Sequence, residues 1–162
     1  MPPTALSYAI SGARGRLTPV QEEIIARVMD DLPAYCTIVT GGANGVDAFA
    51  ARYAKQSHRA VYTILPADHA QVDPDWRQWC DMYLQMPLGS TYRDRNLKLV
   101  QEGMAGLRAF PAAAESAPES KRSGTWMTIR LAFRHGDDLQ KQSARSRHPY
   151  SVVIRVIGKT IR

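Results

Sequence analysis

Apolar and polar positions along the chain switch repeatedly between a strand-like and a helix-like period. Short apolar runs predict six strands, at residues 6–11, 36–40, 60–65, 81–85, 106–110 and 151–157. Between most of them, apolar residues spaced three and four apart predict helices. A strand regularly followed by a helix is typical of a parallel sheet with helices on both faces. The pattern therefore predicts an α/β fold with three α/β/α layers and a mainly parallel sheet.

The first two long helices have clear starting signals. Thr18 and Gln21 have the spacing of a capping box, and Pro19 fits the first helical position. The second helix follows a glycine-rich turn and covers about 45–56. Each has one apolar face, formed in the first helix by Val20, Ile24, Ile25, Val28 and Met29, and in the second by Val46, Phe49, Ala50, Tyr53 and Ala54.

Later helices are predicted near 74–79, at 91–102 and from Ser123 onward. The last carries Ile129, Ala132 and Phe133 on one face, and Gly136 is placed as its C-terminal stop.

Two segments lack a periodic pattern. Residues 112–122 are small and polar, which predicts a flexible loop, and residues 137–150 predict a basic insertion before the last strand. With 162 residues, the chain has the length of one domain, so residues 1–162 are expected to form a single unit.

The positive charge is concentrated near the end of the sequence. The net charge is +6, but residues 121–162 carry ten Lys/Arg against two Asp. Such a segment can contact nucleic acid or an acidic partner, although a solvated basic face is the more frequent explanation. It contains no recognised nucleic-acid motif.

Targeting and metal-binding signals are absent from the sequence. No charged and apolar leader is evident and no apolar run is long enough to span a membrane, so a cytoplasmic location is expected. Cys36 and Cys80 match no metal spacing and are expected to be buried thiols. The scattered histidines form no ligand pair, and neither a metal nor a cofactor is expected; they are His58, His69, His135 and His148.

The most informative segment is the glycine turn at 41–47, Gly-Gly-Ala-Asn-Gly-Val-Asp, between a strand and a helix. Glycines allow a ligand to approach the backbone, and the unpaired amides of a helix N-terminus attract anions. Asn44 and Asp47 lie in the first turn, where their oxygens can bind free amides. The turn predicts a phosphate site, unless the glycines serve only the shape of the backbone.

Four segments with suitable chemistry follow or precede strands and should meet at one edge of a parallel sheet. Arginine binds phosphate through several donors, and a hydroxyl at a helix start adds another. Each segment also has a structural explanation, as a surface charge, a solvated helix face or an ordinary cap. The candidate ligand-binding residues are Gly12, Arg14, Gly41, Gly42, Asn44, Gly45, Asp47, Arg93, Arg95, Asn96, Ser123, Gly124 and Thr125.

Two common phosphate motifs are missing. The sequence has no Gly-x-x-x-x-Gly-Lys-Ser/Thr loop, which disfavours ordinary ATP or GTP hydrolysis with magnesium. It also lacks the Gly-x-Gly-x-x-Gly turn and an acidic residue at the end of the second strand, which disfavours a redox dinucleotide.

The motifs Gly12-x-Arg14, Gly41–Asp47, Arg95-Asn96 and Ser123-Gly124-Thr125 resemble those of the SLOG superfamily of Rossmann-like nucleotide-binding proteins. This superfamily includes the Lonely Guy phosphoribohydrolases, often labelled lysine decarboxylases, and the DNA-processing proteins of natural transformation. The likeness covers about residues 6–136 and is strongest to small stand-alone members.

The resemblance implies that Gly41, Gly42 and Gly45 form the ligand turn and that Arg95 contacts a phosphate. It also implies that the Gly124-Thr125 pair binds phosphate at a helix start. Lonely Guy enzymes have a catalytic Glu three residues after the Thr of this motif, whereas this chain has Thr128 there. A hydroxyl cannot replace a carboxylate beside an oxocarbenium-like centre.

Three functions are compatible with these residues. The first is a nucleotide sensor or carrier, with Trp126 or Tyr92 stacking on the base. The second is an N-glycosidic hydrolase of a nucleoside monophosphate, in which Asp47 or Asp94 replaces the missing Glu. The third is single-stranded DNA binding, for which the basic segment is the expected contact. A homodimer is possible.

Overall fold

A computed structural model describes residues 6–142 and 150–161 of the chain. Its strands are β1 (Ser7–Gly12), β2 (Thr37–Thr40), β3 (Ala60–Leu65), β4 (Met82–Gln85), β5 (Gly106–Phe110) and β6 (Ser151–Ile154). Its α-helices are α1 (Pro19–Asp30), α2 (Val46–Gln56), α3 (Tyr92–Glu102) and α4 (Gly124–Gln142). Two 3-10 helices cover Trp76–Trp79 and Pro118–Arg122.

The six strands form one parallel sheet in the order β4-β3-β2-β1-β5-β6. The chain adds β2, β3 and β4 outward on one side of β1, and then returns through α3 to place β5 on its other side. Ala9 lies opposite Val39 in β2 and opposite Leu107 in β5. Loops that follow β1 and β5 therefore meet where the direction of strand addition reverses.

Helices cover both faces of the sheet, which confirms the predicted α/β/α layers. One face packs α1 and α2 against residues such as Ile10 and Ile38, and the other packs α3 and α4 around Val39 and Leu107. Each Å² of apolar surface buried in these two layers contributes about 25 cal/mol. This burial is the main stabilising contribution to the fold.

The start of the first helix agrees with the predicted cap, because Thr18 and Gln21 form a reciprocal capping box at α1. Thr91 and Asp94 form a second capping box at α3, which was not predicted from the sequence. Val20, predicted on the apolar face of α1, is instead exposed, because the polar Gln21 occupies the neighbouring buried position. Phe133, predicted on the apolar face of α4, is also exposed, whereas Ile129 and Ala132 are buried.

The prediction that Gly136 ends the last helix is wrong. Helix α4 continues to Gln142, and the glycine lies within it. A Cβ atom at Gly136 would lie 3.1 Å from Cδ1 of Tyr150, so the missing side chain makes room for that ring. Glycine here serves packing between α4 and the residue before β6, not a left-handed helix stop.

Parts of the two segments without a periodic pattern, 112–122 and 137–150, form helices that the sequence did not predict. The predicted loop 112–122 contains the second 3-10 helix, and the buried Ser120 hydroxyl donates to the Glu115 carbonyl. Residues 137–142 of the predicted basic insertion belong to α4, while 143–149 lie outside the described residues. The last strand ends at Ile154, and residues 155–161 continue beyond it.

Candidate functional site

A cavity of about 1250 Å³ opens beyond the carboxyl ends of β1 and β5. This is the reversal point of the sheet, where ligands of open α/β folds bind. Its walls are the β1–α1 loop, the turn before α2, the start of α3, the start of α4 and part of the segment after β6. The predicted site residues at its surface are Gly12, Arg14, Asn44, Gly45, Asp47, Arg95, Asn96, Ser123, Gly124 and Thr125.

The turn before α2 packs directly on the β1–α1 loop. Gly45 has φ +81°, and a Cβ atom there would lie 2.5 Å from the Ala13 carbonyl oxygen. The Val46 amide donates to that same carbonyl at 3.1 Å, and the Gly15 amide donates to Oδ1 of Asn44 at 3.2 Å. These contacts join the two loops into one wall of the cavity.

Gly41 and Gly42 have a packing function and do not line the cavity. A Cβ atom at Gly41 would lie 2.6 Å from Nη1 of Arg95. Gly42 has φ +75°, and a Cβ atom there would approach Cγ2 of Thr63 at 3.0 Å. Their packing fits the structural explanation that the sequence left open, and a ligand contact of these two glycines stays a prediction.

Arg95 is buried, and two of its three guanidinium nitrogens, Nη1 and Nε, donate to groups of the protein. Nη1 donates to the Gly41 carbonyl at 2.6 Å and to the Ile64 carbonyl at 3.4 Å, while Nε donates to Oδ1 of Asn96 at 2.9 Å. Only 5% of the residue is exposed. The guanidinium thereby holds the glycine turn to the sheet, and the phosphate contact that the resemblance implies stays a prediction.

Asp47 completes this arrangement. Its Oδ2 accepts the amide protons of Gly41 at 3.0 Å and Ala43 at 3.3 Å. Burial raises the pKa of Asp47 from 3.8 to about 6, against the lowering effects of Arg95 and the two amides. The side chain lines the cavity, so a carboxyl group that titrates near neutral pH lies at its surface.

The cavity has a strongly positive surface. Arg14, Arg16, Arg95 and Arg122 line it, whereas Asp47 is the acidic residue among its described lining residues. The guanidiniums of Arg14 and Arg95 lie 5.6 and 5.7 Å from the centre of the Tyr92 ring. Clustered guanidiniums favour an anionic ligand, and planar ones suit phosphate or carboxylate.

The start of α4 faces open space. Gly124 lines the cavity, and a Cβ atom there would meet nothing within 4 Å. The Ser123 hydroxyl accepts the Trp126 amide proton, so it caps the helix. Thr128 is 1% exposed, and its Oγ1 donates to the Gly124 carbonyl at 2.9 Å. The position of the expected Glu thus holds a hydroxyl engaged within its own helix.

Besides Gly41 and Gly42, three other predicted residues lie away from the cavity surface. Arg93 is an exposed residue of α3 that is absent from the lining. Asp94 caps the same helix by accepting the Thr91 amide proton at 2.9 Å, and that bond lowers its pKa. Trp126, proposed to stack on a base, is 5% exposed and its Nε1 donates to the Ala113 carbonyl. Of the two stacking candidates, Tyr92 is the one at the cavity.

Sequence reasoning missed several lining residues, namely Ser11, Ala13, Gly15, Arg16, Ala43, Gln71, Ala112, Arg122, Met127, Thr160 and Ile161. Arg122 directly precedes Ser123, so its adjacency to a predicted helix start was a usable signal. Thr160 and Ile161 had none, because they reach the cavity from beyond β6.

Solved structures resemble this fold. A molybdenum cofactor binding protein from Rippkaea orientalis aligns with a TM-score of 0.58 at 18% identity, over 93% of this chain and 77% of that one. DNA processing protein A from Streptococcus pneumoniae aligns with a TM-score of 0.61 at 18% identity, over 91% of this chain and 59% of that one. DNA processing protein A from Helicobacter pylori, whose structure concerns its single-stranded DNA binding mode, aligns with a TM-score of 0.60 at 19% identity. The alignment covers 97% of this chain and 69% of that one.

The chain has a Rossmann-like α/β fold, which it shares with these proteins. At these identities the similarity concerns the fold alone, and the chain spans about three fifths of the S. pneumoniae protein. No protein-family model and no curated protein sequence matches the chain.

Across residues 6–142 and 150–161, no helix is long and apolar enough to cross a bilayer. The same residues contain no group of three or more His, Cys, Asp or Glu side chains arranged to hold a metal ion.

Proposed function

We propose that the protein binds a nucleotide or nucleotide derivative in this cavity, as a sensor or carrier. The observation that carries the proposal is the cavity's lining, four arginines against one aspartate whose pKa is about 6. Three of these arginines, Arg14, Arg16 and Arg122, are exposed and remain available for a ligand. The cavity is larger than the 300–1,000 Å³ typical of small-molecule sites, which leaves room for a base and sugar beside the phosphate.

The start of α4 supports the placement of a phosphate. The first amides of a helix have no partner within the helix and attract anions. The Trp126 amide is capped by Ser123, which leaves the amides of Gly124 and Thr125 for a ligand, and Arg122 adds a charge next to them. Tyr92 offers a ring for the base, with Arg14 beside it.

We expect nucleoside monophosphates to stabilise the fold and the matching nucleosides not to do so, because the described donors favour an anion. A ligand at one hundred times its dissociation constant should add about 2.7 kcal/mol of stability. Thermal unfolding with a series of monophosphates and nucleosides measures this. Equal shifts for both members of each pair, or none in either, would contradict the proposal.

A pair of matched variants locates the site. Arg122→Gln should weaken monophosphate binding by about 1.5–3 kcal/mol through loss of a charge-assisted contact. Arg93→Gln removes the same charge from an exposed position outside the cavity lining and should leave affinity nearly unchanged. Similar losses in both variants would indicate a general effect of net charge instead of a defined site.

A second candidate function is N-glycosidic hydrolysis, and the observation that favours it is Asp47 itself. A carboxyl group at the cavity surface with a pKa of about 6 can exchange a proton near neutral pH. It is the only one of the two candidate acids at the cavity, since Asp94 caps α3. The engaged Thr128 hydroxyl provides no replacement for a catalytic carboxylate.

If Asp47 activates a water molecule, release of free base from a nucleoside monophosphate should rise as pH increases through about 6, as the carboxylate forms. Asp47→Asn should remove this release while the monophosphate still stabilises the fold. Chromatography of the free base measures the rate. Undetectable release by the unmodified protein would leave the sensor function, and unchanged release in the variant would exclude Asp47 as the base.

Single-stranded DNA binding stays a prediction. Arg145 and Arg147, the charges of the basic segment expected to make the contact, lie outside the described residues.

A further inference from the structure

Residues 155–161, here called the C-terminal strap, leave β6 and return over the cavity edge of the sheet. The Arg155 amide donates to the Ala109 carbonyl at 2.9 Å, and the Ile157 amide donates to the Pro111 carbonyl at 3.0 Å. Ile157 is 8% exposed and packs into the core beneath α1 and α2. The strap therefore begins as a well-anchored extension of the sheet.

One buried side chain, Gln21 of α1, holds the middle of the strap. Its Nε2 lies 3.1, 3.3 and 3.1 Å from the carbonyl oxygens of Ile157, Gly158 and Lys159, and donates to them. Its Oε1 accepts the Thr18 amide proton at 2.9 Å in the capping box. Gln21 is outside the cavity lining, so it can affect a ligand only through the strap or the helix start.

The end of the strap is bonded to the loop that carries two cavity arginines. Arg16 and Ile161 exchange both backbone hydrogen bonds, at 2.7 and 3.0 Å, and the Thr160 hydroxyl donates to the Arg14 carbonyl. The contact is close, since a Cβ atom at Gly15 would lie 2.7 Å from Oγ1 of Thr160. The backbone positions of Arg14 and Arg16 are thereby set by the strap.

We propose that the C-terminal strap is a positioning element whose docking is coupled to occupation of the cavity by a phosphate-bearing ligand. This inference rests on the proposed function. A docked strap holds Arg14 and Arg16 where the ligand needs them, so a ligand that binds this arrangement favours docking. Coupling is reciprocal: the factor by which the strap raises affinity is the factor by which the ligand favours docking.

Gln21→Glu tests the coupling from outside the cavity. A carboxylate still accepts the Thr18 amide proton, but it cannot donate to the three strap carbonyls and repels them. With inorganic pyrophosphate as the probe, we expect affinity to fall about tenfold or more. Hydrogen exchange of amides 13–16 should accelerate in the variant, while exchange in β2 and β3 stays as in the unmodified protein.

Digestion with trypsin measures the reverse effect, that of the ligand on docking of the strap, in the unmodified protein. Lys159 is exposed within the strap, and cleavage after it requires the strap to leave its carbonyl and loop contacts. Pyrophosphate should slow cleavage after Lys159, which mass spectrometry follows. If Gln21→Glu undocks the strap fully, the factor by which pyrophosphate slows cleavage should equal the factor by which this variant weakens pyrophosphate binding. Gln21→Glu should be cleaved faster.

A second pair of variants covers failure of Gln21→Glu to fold. Thr160→Val keeps the shape and removes the donor to the Arg14 carbonyl, and Thr160→Ser restores a hydroxyl. We expect faster exchange at amides 13–16 and weaker pyrophosphate binding in the valine variant, with both recovered by serine.

The outcomes separate this inference from the proposed function. If the unmodified protein does not bind pyrophosphate or any monophosphate, the proposed function fails and the coupling fails with it, whatever the exchange data show. If the protein binds pyrophosphate, and Gln21→Glu binds equally well with faster exchange at amides 13–16, the strap is only structural. That second result overturns the coupling and leaves the proposed function intact.

Discussion

Arg95→Ala is expected to lower the free energy of unfolding by about 3 kcal/mol or more, because it leaves buried polar groups without the charged donor that binds them. The variant loses donors to the carbonyls of Gly41 and Ile64 and removes the charge that most lowers the pKa of Asp47. Urea unfolding measures the loss. Arg93→Ala, two residues earlier on the exposed face of α3, should stay within about 0.5 kcal/mol of the unmodified protein.

The loss in Arg95→Ala should also depend on pH. Burial already raises the pKa of Asp47 from 3.8 to about 6, so its ionisation makes folding less favourable as pH rises from about 4 to 6. Arg95 is the largest effect that lowers this pKa, so without it the pKa rises further and the loss of stability continues above pH 6. A variant of normal stability that fails only in ligand binding would contradict the structural role of Arg95.

Gly45→Ala is expected to destabilise the protein by about 3 kcal/mol or more, from backbone strain and a severe clash. The added Cβ would lie 2.5 Å from the Ala13 carbonyl oxygen, at a residue with φ +81°. The clash is with backbone, so no side-chain rotation relieves it.

Gly124→Ala is the matched control for this glycine. Its Cβ would meet nothing within 4 Å, and its stability should change by no more than about 1 kcal/mol, the difference in helix propensity. Equilibrium unfolding of the two variants measures this difference in stability. Equal stabilities would mean that the two loops can separate without cost.

The layers of the fold could be predicted because their signals are local. The alternation of strand and helix periods predicted the sheet, and the capping spacing at Thr18 predicted the start of the first helix. Local signals failed where a distant partner decided the outcome. Gly136 lies inside α4 because Tyr150 packs against it, and Val20 is exposed while Gln21 is buried against the strap.

The site was predictable in place but less so in the role of each residue. The rule that parallel strands end at one edge brought Arg14, Asn44 and Gly124 together correctly. Residue type could not tell whether the Arg95 guanidinium meets a ligand or a carbonyl, because Gly41 is 54 positions away. Residue type also could not distinguish Gly45 from Gly124. At Gly45 a neighbouring backbone leaves no room for a side chain, whereas Gly124 faces the open cavity.

The Thr160 hydroxyl and the Arg14 carbonyl, which meet at the cavity, lie 146 positions apart in the sequence. Such a contact closes a very long loop and is expected to form late, after the local contacts of β1, α1 and β2. Because the arginine loop is completed only then, a ligand has little to bind in the transition state for folding. We therefore expect ligand to slow unfolding while leaving the rate of refolding nearly unchanged.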